Sequence, residues 1–230
     1  MVRAFDEKHD AFLIHAWGMT EMSPLGTVNS PTTELMALPK EDRYKRQLKQ
    51  GRPIYGVDLK IIDDDGNELP RDGKAYGRLL VRGPWITSGY YKSEDRSAFV
   101  DGWFDTGDVA TLDSLNTMQI VDRRKDVIKS GGEWISSIDL ENIAVGHQAV
   151  KEACVIGVPH PKWDERPILL VVLKVGASAT KEDIITYVSQ HIAKFWTPDD
   201  VIFVPDLPHT ATGKLHKVPL REKFANHLMV

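Results

Sequence analysis

The chain has 230 residues, of which 42% are hydrophobic and 27% are charged, and its formal net charge is −4. This composition is typical of a globular protein with one or two domains, and the charge does not indicate a nucleic-acid-binding surface. The longest aliphatic run, ILLVVL at 168–173, is too short to span a bilayer, and the first ten residues lack the apolar segment of a secretory signal. The single cysteine, Cys154, excludes a disulfide framework and favours a reducing, cytoplasmic environment.

The first half of the chain is predicted to form short helices followed by a small β-structure. Residues 3–9 have a helical pattern, AFLIHAW at 11–17 indicates a short buried strand, and 39–51 indicates an exposed helix between a proline and a glycine. From 52 to 121, short β-rich runs alternate with turns such as DDDGNE and RDGKAYG. We therefore predict a small antiparallel sheet or barrel in this region.

The second half, 127–230, is predicted to be a compact α+β domain. Ser137 and Thr180 are candidate N-caps of helices, Pro159 is expected to end a strand, and PILLVVLKV has the continuous apolar character of a strand buried on both faces. The predicted elements are a helix near 138–146, strands at 152–158, 167–175 and 200–204, and a helix over 180–193.

A charged segment without glycine or proline, DRRKD at 122–126, separates the two patterns. We predict that it is a hinge between a first domain, 1–121, and a second domain, 127–230.

Several common catalytic motifs do not occur in the sequence, namely H-E-x-x-H, G-x-S-x-G and G-x-G-x-x-G. The stretch HTATGKLHK at 209–217 places a lysine after a glycine among hydroxylated residues. It is not a P-loop, because no glycine stands five positions before Gly213 and Leu215 replaces the required Ser or Thr.

Four stretches carry residues suited to phosphate or nucleotide chemistry. HAWGMTEMSPLG offers a hydroxyl for a phosphate oxygen and a carboxylate for Mg²⁺, and GWFDTGD offers a carboxylate for a ribose diol. DRRKDVIKSGGEWIS joins a basic cluster to adjacent glycines that permit close backbone approach, and HTATGK offers a mobile positive charge. Taken singly, each stretch fits a surface turn, a solvated charged face or a core tryptophan at least as well.

Together and in this order, the four stretches resemble motifs of the adenylate-forming superfamily, and GRLLVRGPWITSGYY matches a fifth. KSGGEWISSIDLEN and VPHPKWDERP are most similar to the medium- and long-chain fatty-acid CoA ligases. The resemblance covers essentially the whole chain. It implies a mixed α/β and α+β fold: the end of the large domain with a small antiparallel β subdomain, followed by a compact α+β C-terminal domain.

The resemblance also implies an activity. Members of this superfamily use ATP and Mg²⁺ to convert a carboxylic acid into an acyl-adenylate, and the CoA ligases then transfer the acyl group to coenzyme A. The implied substrates are a fatty acid, ATP and coenzyme A, which places the parent enzyme in lipid metabolism. A homodimer of the complete protein is a further expectation.

The roles of individual residues follow from the same resemblance. Thr20 would bond a phosphate, Glu21 would help to hold Mg²⁺, and Lys214 would reach the attacking carboxylate and the bridging phosphate oxygen. Lys125 would be the hinge residue about which the C-terminal domain rotates before thioester formation. The remaining residues are implied to bind ATP or AMP (Trp17, Gly18, Asp108, Arg123, Lys129 and Trp134) or to border the coenzyme A path (Gly131 and Gly132).

Three departures from the superfamily pattern are visible, and one is that the turn DSLNTMQ at 113–119 lacks the glycine common in relatives. Arg78 stands where relatives usually have glutamate, and the Ser/Thr/Gly-rich phosphate loop that precedes WGMTE in relatives has no counterpart. We therefore expect the chain to be the C-terminal portion of such an enzyme and to be catalytically silent alone. The alternatives are a non-catalytic nucleotide- or partner-binding module, and adenylation of a different carboxylic acid.

Overall fold

The chain divides into two units, Met1–Arg124 and Lys125–Val230. The computed structural model describes residues 1–211 and 213–229, so Thr212 of the HTATGK stretch and Val230 lie outside the described residues. Within these described ranges, no helix combines the length and the apolar character that crossing a membrane requires.

The first unit contains helices and two antiparallel sheets. Its helices are α1 (Val2–His9), α2 (Thr33–Met36) and α3 (Lys40–Gln47), and a short 3₁₀ helix spans Thr20–Met22. One sheet has the order β1-β2-β3, with β1 (Ala16–Gly18), β2 (Leu25–Val28) and β3 (Arg52–Pro53). The other has the order β4-β5-β7-β6 with β8 also paired to β7, and comprises β4 (Asp58–Ile62), β5 (Tyr76–Arg82), β6 (Phe99–Val100), β7 (Trp103–Leu112) and β8 (Met118–Arg123).

The larger sheet of the first unit confirms the antiparallel β-structure predicted for this region. Its inward side chains, including Ile61, Leu79, Val81 and Phe104, form one fully buried cluster with Met22. Burial of this apolar surface is the main favourable contribution to the stability of the unit.

Two details of the first half were predicted wrongly. AFLIHAW does not form a buried strand, because β-structure begins only at Ala16 and none of residues 11–17 is buried. The helix predicted between Pro39 and Gly51 forms as α3 but ends earlier, at Gln47, and Gly51 has a φ of +91° beside β3. The chain leaves the helix before Gly51 because the following residues, Arg52 and Pro53, pair as β3 with β2.

The second unit is an α+β domain, as predicted. Its elements are β9 (Ile128–Ser130), β10 (Glu133–Ile135), α4 (Ser137–Val145), β11 (Val150–His160), β12 (Asp164–Leu173), α5 (Lys181–Ser189), a 3₁₀ helix (Lys194–Trp196), β13 (Asp200–Phe203) and α6 (Lys217–Phe224). The sheet order is β10-β9-β12-β11, with β13 parallel to β12.

Both faces of the sheet in the second unit are covered. Because successive side chains of a strand point to opposite faces, the apolar run of β12 supplies two cores. One core contains Val155, Leu169 and Val171 with Leu140 of α4 and Ile184 of α5. The other contains Ile156, Ile168 and Leu170 with Leu220 of α6.

Local signals in the second half were predicted with small errors. Thr180 caps α5 with a complete capping box, as expected, although the helix ends at Ser189. The N-cap of α4 is Ser136 and not Ser137, since the Ser136 hydroxyl accepts the Asp139 N–H at 3.1 Å. Pro159 lies within β11, which continues to His160. Proline is tolerated there because β11 is an edge strand and needs no donor on its outer side.

Candidate active site

The predicted phosphate- and metal-binding residues follow a short strand in the first unit. Trp17 and Gly18 lie on β1, and Thr20 and Glu21 lie in the 3₁₀ helix that follows it. Only glycine fits at position 18, because a Cβ there would lie 1.8 Å from the carbonyl oxygen of Pro24. Thr20 is exposed and Glu21 is half-buried, so their oxygen atoms are available at the surface of this unit.

Glu21 is held by a partner that the sequence did not identify. The Tyr90 hydroxyl donates to Glu21 Oε1 at 3.0 Å, and the Thr87 N–H donates to the Glu21 carbonyl at 2.8 Å. Burial, reinforced by the Glu21 carboxylate, raises the pKa of Tyr90, which therefore remains a hydrogen-bond donor at neutral pH. Tyr90 belongs to the GPWITSGYY stretch, so the motif was visible although the contact was not.

This arrangement fits Mg²⁺ only in combination with a nucleotide. Mg²⁺ is commonly bound by one or two protein carboxylates together with water and substrate phosphates. No group of three or more His, Cys, Asp or Glu side chains in the described ranges is arranged to hold a metal. Glu21 is therefore suited to contribute one carboxylate to a phosphate-bound Mg²⁺.

Asp108 and Arg123 form an ion pair through the register of two strands. They are direct cross-strand neighbours on β7 and β8, and Arg123 Nε lies 2.9 Å from Asp108 Oδ1. The Asp108 side chain is 5% exposed whereas that of Arg123 is 46% exposed. Thr106 supports this part of the strand, since its hydroxyl accepts the Asp108 N–H at 3.1 Å. The pair thus fixes a largely buried carboxylate within β7, beside Gly107, whose φ of +71° accompanies the irregular pairing of β5 with β7.

Arg78, the departure from the superfamily pattern, has an evident structural role. Its guanidinium donates from Nε and Nη2 to Asp105 Oδ2 at 3.1 and 2.6 Å, and both side chains are largely buried. Asp105 Oδ1 also accepts the Gly107 N–H at 3.0 Å. Arg78 therefore braces the irregular part of β7 that precedes Asp108.

In the second unit, Gly131 and Gly132 connect β9 to β10. Their φ values are +55° and +87°, and they form a two-residue hairpin turn in which both positions are left-handed. Lys129 and Trp134 are cross-strand partners across this hairpin, and the Lys129 ammonium lies 5.1 Å from the Trp134 ring centroid. Trp134 is half-buried, so it is not a core residue. Lys125, at the start of the unit, is exposed.

The glycine turn packs against residues that the sequence analysis did not assign. The Gly131 N–H donates to the Trp163 carbonyl at 2.8 Å, and a Cβ on Gly131 would lie 2.8 Å from Trp163 Cε3. The Trp163 ring meets Phe195 edge-on at a centroid distance of 5.9 Å. Trp163 belongs to VPHPKWDERP, one of the stretches that carry the resemblance to the fatty-acid CoA ligases.

Arg166 is the anchor of this region. It is 7% exposed, and its guanidinium contacts Asp199 at 2.7 Å, the Phe195 and Thr197 carbonyls at 2.9 Å, and the Ser130 hydroxyl at 3.2 Å. These bonds join the end of β9 to the segment between α5 and β13. Arg166 therefore positions the base of the glycine turn.

Lys214 lies on a second tight turn. His209 and Leu215 are bridged, the Thr210 N–H donates to the Lys214 carbonyl at 2.7 Å, and the Lys214 N–H donates to the Thr210 hydroxyl at 3.2 Å. Gly213 has a φ of +78°, which favours glycine. Lys214 is exposed, so the turn presents a positive charge to solvent.

The structure therefore brings some predicted residues together and assigns others to separate units. Asp108 pairs with Arg123, and Lys129 stacks on Trp134. The predicted nucleotide and metal residues of the first unit (Trp17, Gly18, Thr20, Glu21, Asp108 and Arg123) are separate from those of the second (Lys125, Lys129, Gly131, Gly132, Trp134 and Lys214).

Comparison with protein families yields two matches in chain order. Residues 1–91 match the model described as AMP-binding enzyme, and residues 139–214 match the model described as AMP-binding enzyme C-terminal domain. Together the two models account for most of the chain.

Individual proteins agree with these matches. The chain is 53% identical to the 3-methylmercaptopropionyl-CoA ligase of Ruegeria pomeroyi and 46% identical to the medium-chain-fatty-acid–CoA ligase of Ectopseudomonas oleovorans. The alignments cover 99% and 100% of this chain but 42% of each relative. Among solved structures, ATP-bound MatB from Rhodopseudomonas palustris is similar, with a TM-score of 0.82 and 29% identity over 99% of this chain and 43% of that one.

Proposed function

This chain belongs to the family of AMP-binding enzymes, and from that premise we propose that it forms the C-terminal part of an ATP-dependent acid–CoA ligase. The observation that carries the proposal is the division of the predicted residues between two units. Glu21 and Asp108, proposed to bind Mg²⁺ and the ribose, lie in the first unit. Lys214, proposed to act in adenylation, lies in the second together with Lys129 and Trp134. Such a division suits a reaction in which a movable domain serves two successive steps.

The first step is attack of a carboxylate oxygen on the α-phosphorus of ATP, with departure of pyrophosphate. Both reactants are anionic, so positive groups must stabilise the charge that develops in the transition state. In this proposal Lys214 contacts the attacking carboxylate and the bridging phosphate oxygen, and Thr20 bonds a phosphate. Mg²⁺, when bound with the nucleotide at Glu21, would neutralise phosphate charge.

Asp108 and Arg123 position the nucleotide in both steps. The Asp108 carboxylate would accept hydrogen bonds from the ribose hydroxyls, and Arg123 keeps this carboxylate oriented through the 2.9 Å ion pair. Trp17 and Gly18 would line the adenine and acyl pocket.

The second step is attack of the coenzyme A thiol on the acyl carbonyl, with AMP as the leaving group. We propose that rotation at Lys125 withdraws Lys214 and presents the Lys129–Trp134 face. Gly131 and Gly132 have no side chains, so their turn would border the pantetheine path. The proposed rotation point lies within the predicted hinge, 122–126.

The carboxylic acid is proposed to be a fatty acid. The name of the R. pomeroyi relative makes 3-methylmercaptopropionate the competing candidate. A panel of both acid types, with ATP–pyrophosphate exchange as the measurement, separates them. A homodimer of the complete enzyme is also proposed and is tested by light scattering.

The chain spans 42% of the length of the relatives named above, so the experiment needs two proteins. One is the 230-residue chain, and the other is a fusion in which it replaces the matching part of the R. pomeroyi ligase. We expect carboxylate-dependent ATP–pyrophosphate exchange from the fusion and none from the chain alone. Robust exchange by the chain alone would contradict the expectation that it is silent. Nucleotide binding without any exchange in either protein would favour a binding module.

Lys214→Ala in the fusion tests the assigned chemistry. Adenylation should fall by orders of magnitude, whereas thioester formation from supplied acyl-AMP should be largely kept, because the lysine acts only in the first step. Lys151→Ala, at an exposed position of β11, is the control and should change neither rate. Equal losses in both half-reactions after Lys214→Ala would refute the role.

A further inference from the structure

A buried lysine begins the helix that follows the Lys214 turn. Lys217 is the first residue of α6 and is 9% exposed. Its ammonium lies 2.7 Å from Glu141 Oε1 and donates to the Ser137 hydroxyl at 2.6 Å. Lysine is almost never this buried unless it is paired. The burial of Lys217 therefore depends on its bonds to Glu141 and Ser137.

Glu141 connects this lysine to the edge of the sheet. Its side chain is 14% exposed, and the same Oε1 atom accepts the Val155 N–H at 2.8 Å. Val155 lies on β11, an edge strand whose outer donors need partners. The Lys217–Glu141 pair thus joins the first turn of α6 to both α4 and β11.

A second ion pair lies one helical turn further along α6. Arg221 pairs with Asp126, and positions four residues apart lie on the same side of a helix. Asp126 directly follows Lys125, the proposed hinge. At the other end of the helix, only His216 separates α6 from the turn bridged between His209 and Leu215.

The surroundings of these pairs are apolar. Cys154, Ile156 and Leu220 are buried beside them, and burial, with the nearby Glu141 charge, raises the pKa of Cys154 to about 12. In such surroundings an ion pair contributes little more to stability than well-packed apolar residues would, but it restricts geometry.

We propose that Lys217 is a positioning residue: its bonds to Glu141 and Ser137 fix the start of α6 and thereby hold the turn that presents Lys214. Arg221 ties the same helix to the residue after the hinge, so α6 transmits hinge rotation to Lys214. The proposal rests on the role assigned to Lys214 under the proposed function.

The test separates positioning from stability. Lys217→Met leaves Glu141 buried without its cation and should destabilise the chain. Lys217→Met with Glu141→Gln removes both charges but keeps an amide oxygen as acceptor for the Val155 N–H, and should recover most of the urea midpoint. Amide exchange is then measured on the full 230-residue chain. In the double variant, the Thr210 and His216 amides should still exchange about 10-fold faster than in the parent chain, because the turn is no longer fixed.

Two controls accompany these variants. Lys217→Arg keeps a charged donor and should keep parent-like exchange, while Lys174→Met removes an exposed lysine that bonds only a loop carbonyl in the described structure. Parent-like exchange at Thr210 and His216 in the double variant would overturn the proposal. An equal acceleration of amide exchange across α5 would also overturn the proposal, because it would indicate general loosening of the unit.

A second measurement uses the ligase fusion. The double variant should lower adenylation by about 10-fold or more while thioester formation from supplied acyl-AMP is kept, and unchanged adenylation would overturn the proposal. A fusion in which even the parent sequence gives no exchange of pyrophosphate would refute the proposed function instead. The amide-exchange result on the chain alone would still decide whether Lys217 positions the turn.

Discussion

Replacing Arg166 with methionine is expected to destabilise the second unit strongly. Methionine retains much of the aliphatic volume but removes the guanidinium that contacts Asp199, Ser130 and two backbone carbonyls. Arg166 is 7% exposed, so water does not replace these bonds readily.

The magnitude follows from the partners left behind. Removing one member of a buried ion pair costs about 3–5 kcal/mol, much of it from the uncompensated charge. The Asp199 side chain is 26% exposed, which lowers that contribution, whereas the acceptors at Phe195, Thr197 and Ser130 add to it. We therefore expect a loss of about 3–4 kcal/mol, equivalent to about two to three powers of ten in the unfolding equilibrium.

Amide exchange measures this loss within the unit itself. The slowest amides of β11 and β12 exchange through unfolding of their unit, so their protection factors should fall by about 10²–10³. Lys181→Met is the matched control, because Lys181 is 47% exposed and pairs with Asp200 at 2.7 Å. Such an exposed pair contributes about 1 kcal/mol or less. If Arg166→Met lowers protection no more than Lys181→Met, the reasoning from burial is refuted.

Three further predictions concern the predicted site and the cysteine. Gly131→Ala should lower the urea midpoint and shift Trp163 fluorescence, because its Cβ would meet the Trp163 ring. Gly132→Ala should show only the backbone strain of about 1 kcal/mol, since a Cβ on Gly132 meets nothing within 4 Å. Equal effects of the two substitutions would contradict the contact between Gly131 and Trp163. The pKa of Cys154 is raised to about 12, so its thiol should react with iodoacetamide at pH 8 at least about 10³-fold more slowly than an ordinary thiol. The reaction should become fast when urea unfolds the chain. Rapid labelling of the native chain would contradict the burial of Cys154. Asp108→Asn in the ligase fusion should raise the KM for ATP about 10-fold or more through weakened bonds to the ribose, and an unchanged KM would remove Asp108 from the nucleotide site.

Much of the fold could be predicted because local patterns agree with the tertiary structure. The alternating runs of 52–121 form the antiparallel sheet, and the continuous apolar run of β12 is covered on both faces. Prediction failed where tertiary pairing decided the outcome. Pro159 remains in a strand because β11 lies at an edge, and AFLIHAW stays outside the core despite its apolar composition.

The contacts within the candidate site could not be predicted from the sequence for the same reason. The motifs identified Glu21, Gly131 and Lys214, but none of them indicates its neighbours. Tyr90 reaches Glu21 across 69 positions of sequence, and Lys217 reaches Ser137 across 80. These contacts depend on how distant elements pack, which single-residue patterns do not encode.

The burial of Cys154 has a practical consequence. Because the chain has one cysteine and its thiol is buried, the native protein presents no cysteine side chain at the surface of the described residues. Two introduced cysteines, Glu94→Cys in the first unit and Val175→Cys in the second, both at exposed positions, would therefore be the only sites to take up maleimide dyes. Energy transfer between these dyes, recorded on single molecules of the 230-residue chain with and without ATP, would follow the proposed domain rotation directly, without removal of the native cysteine.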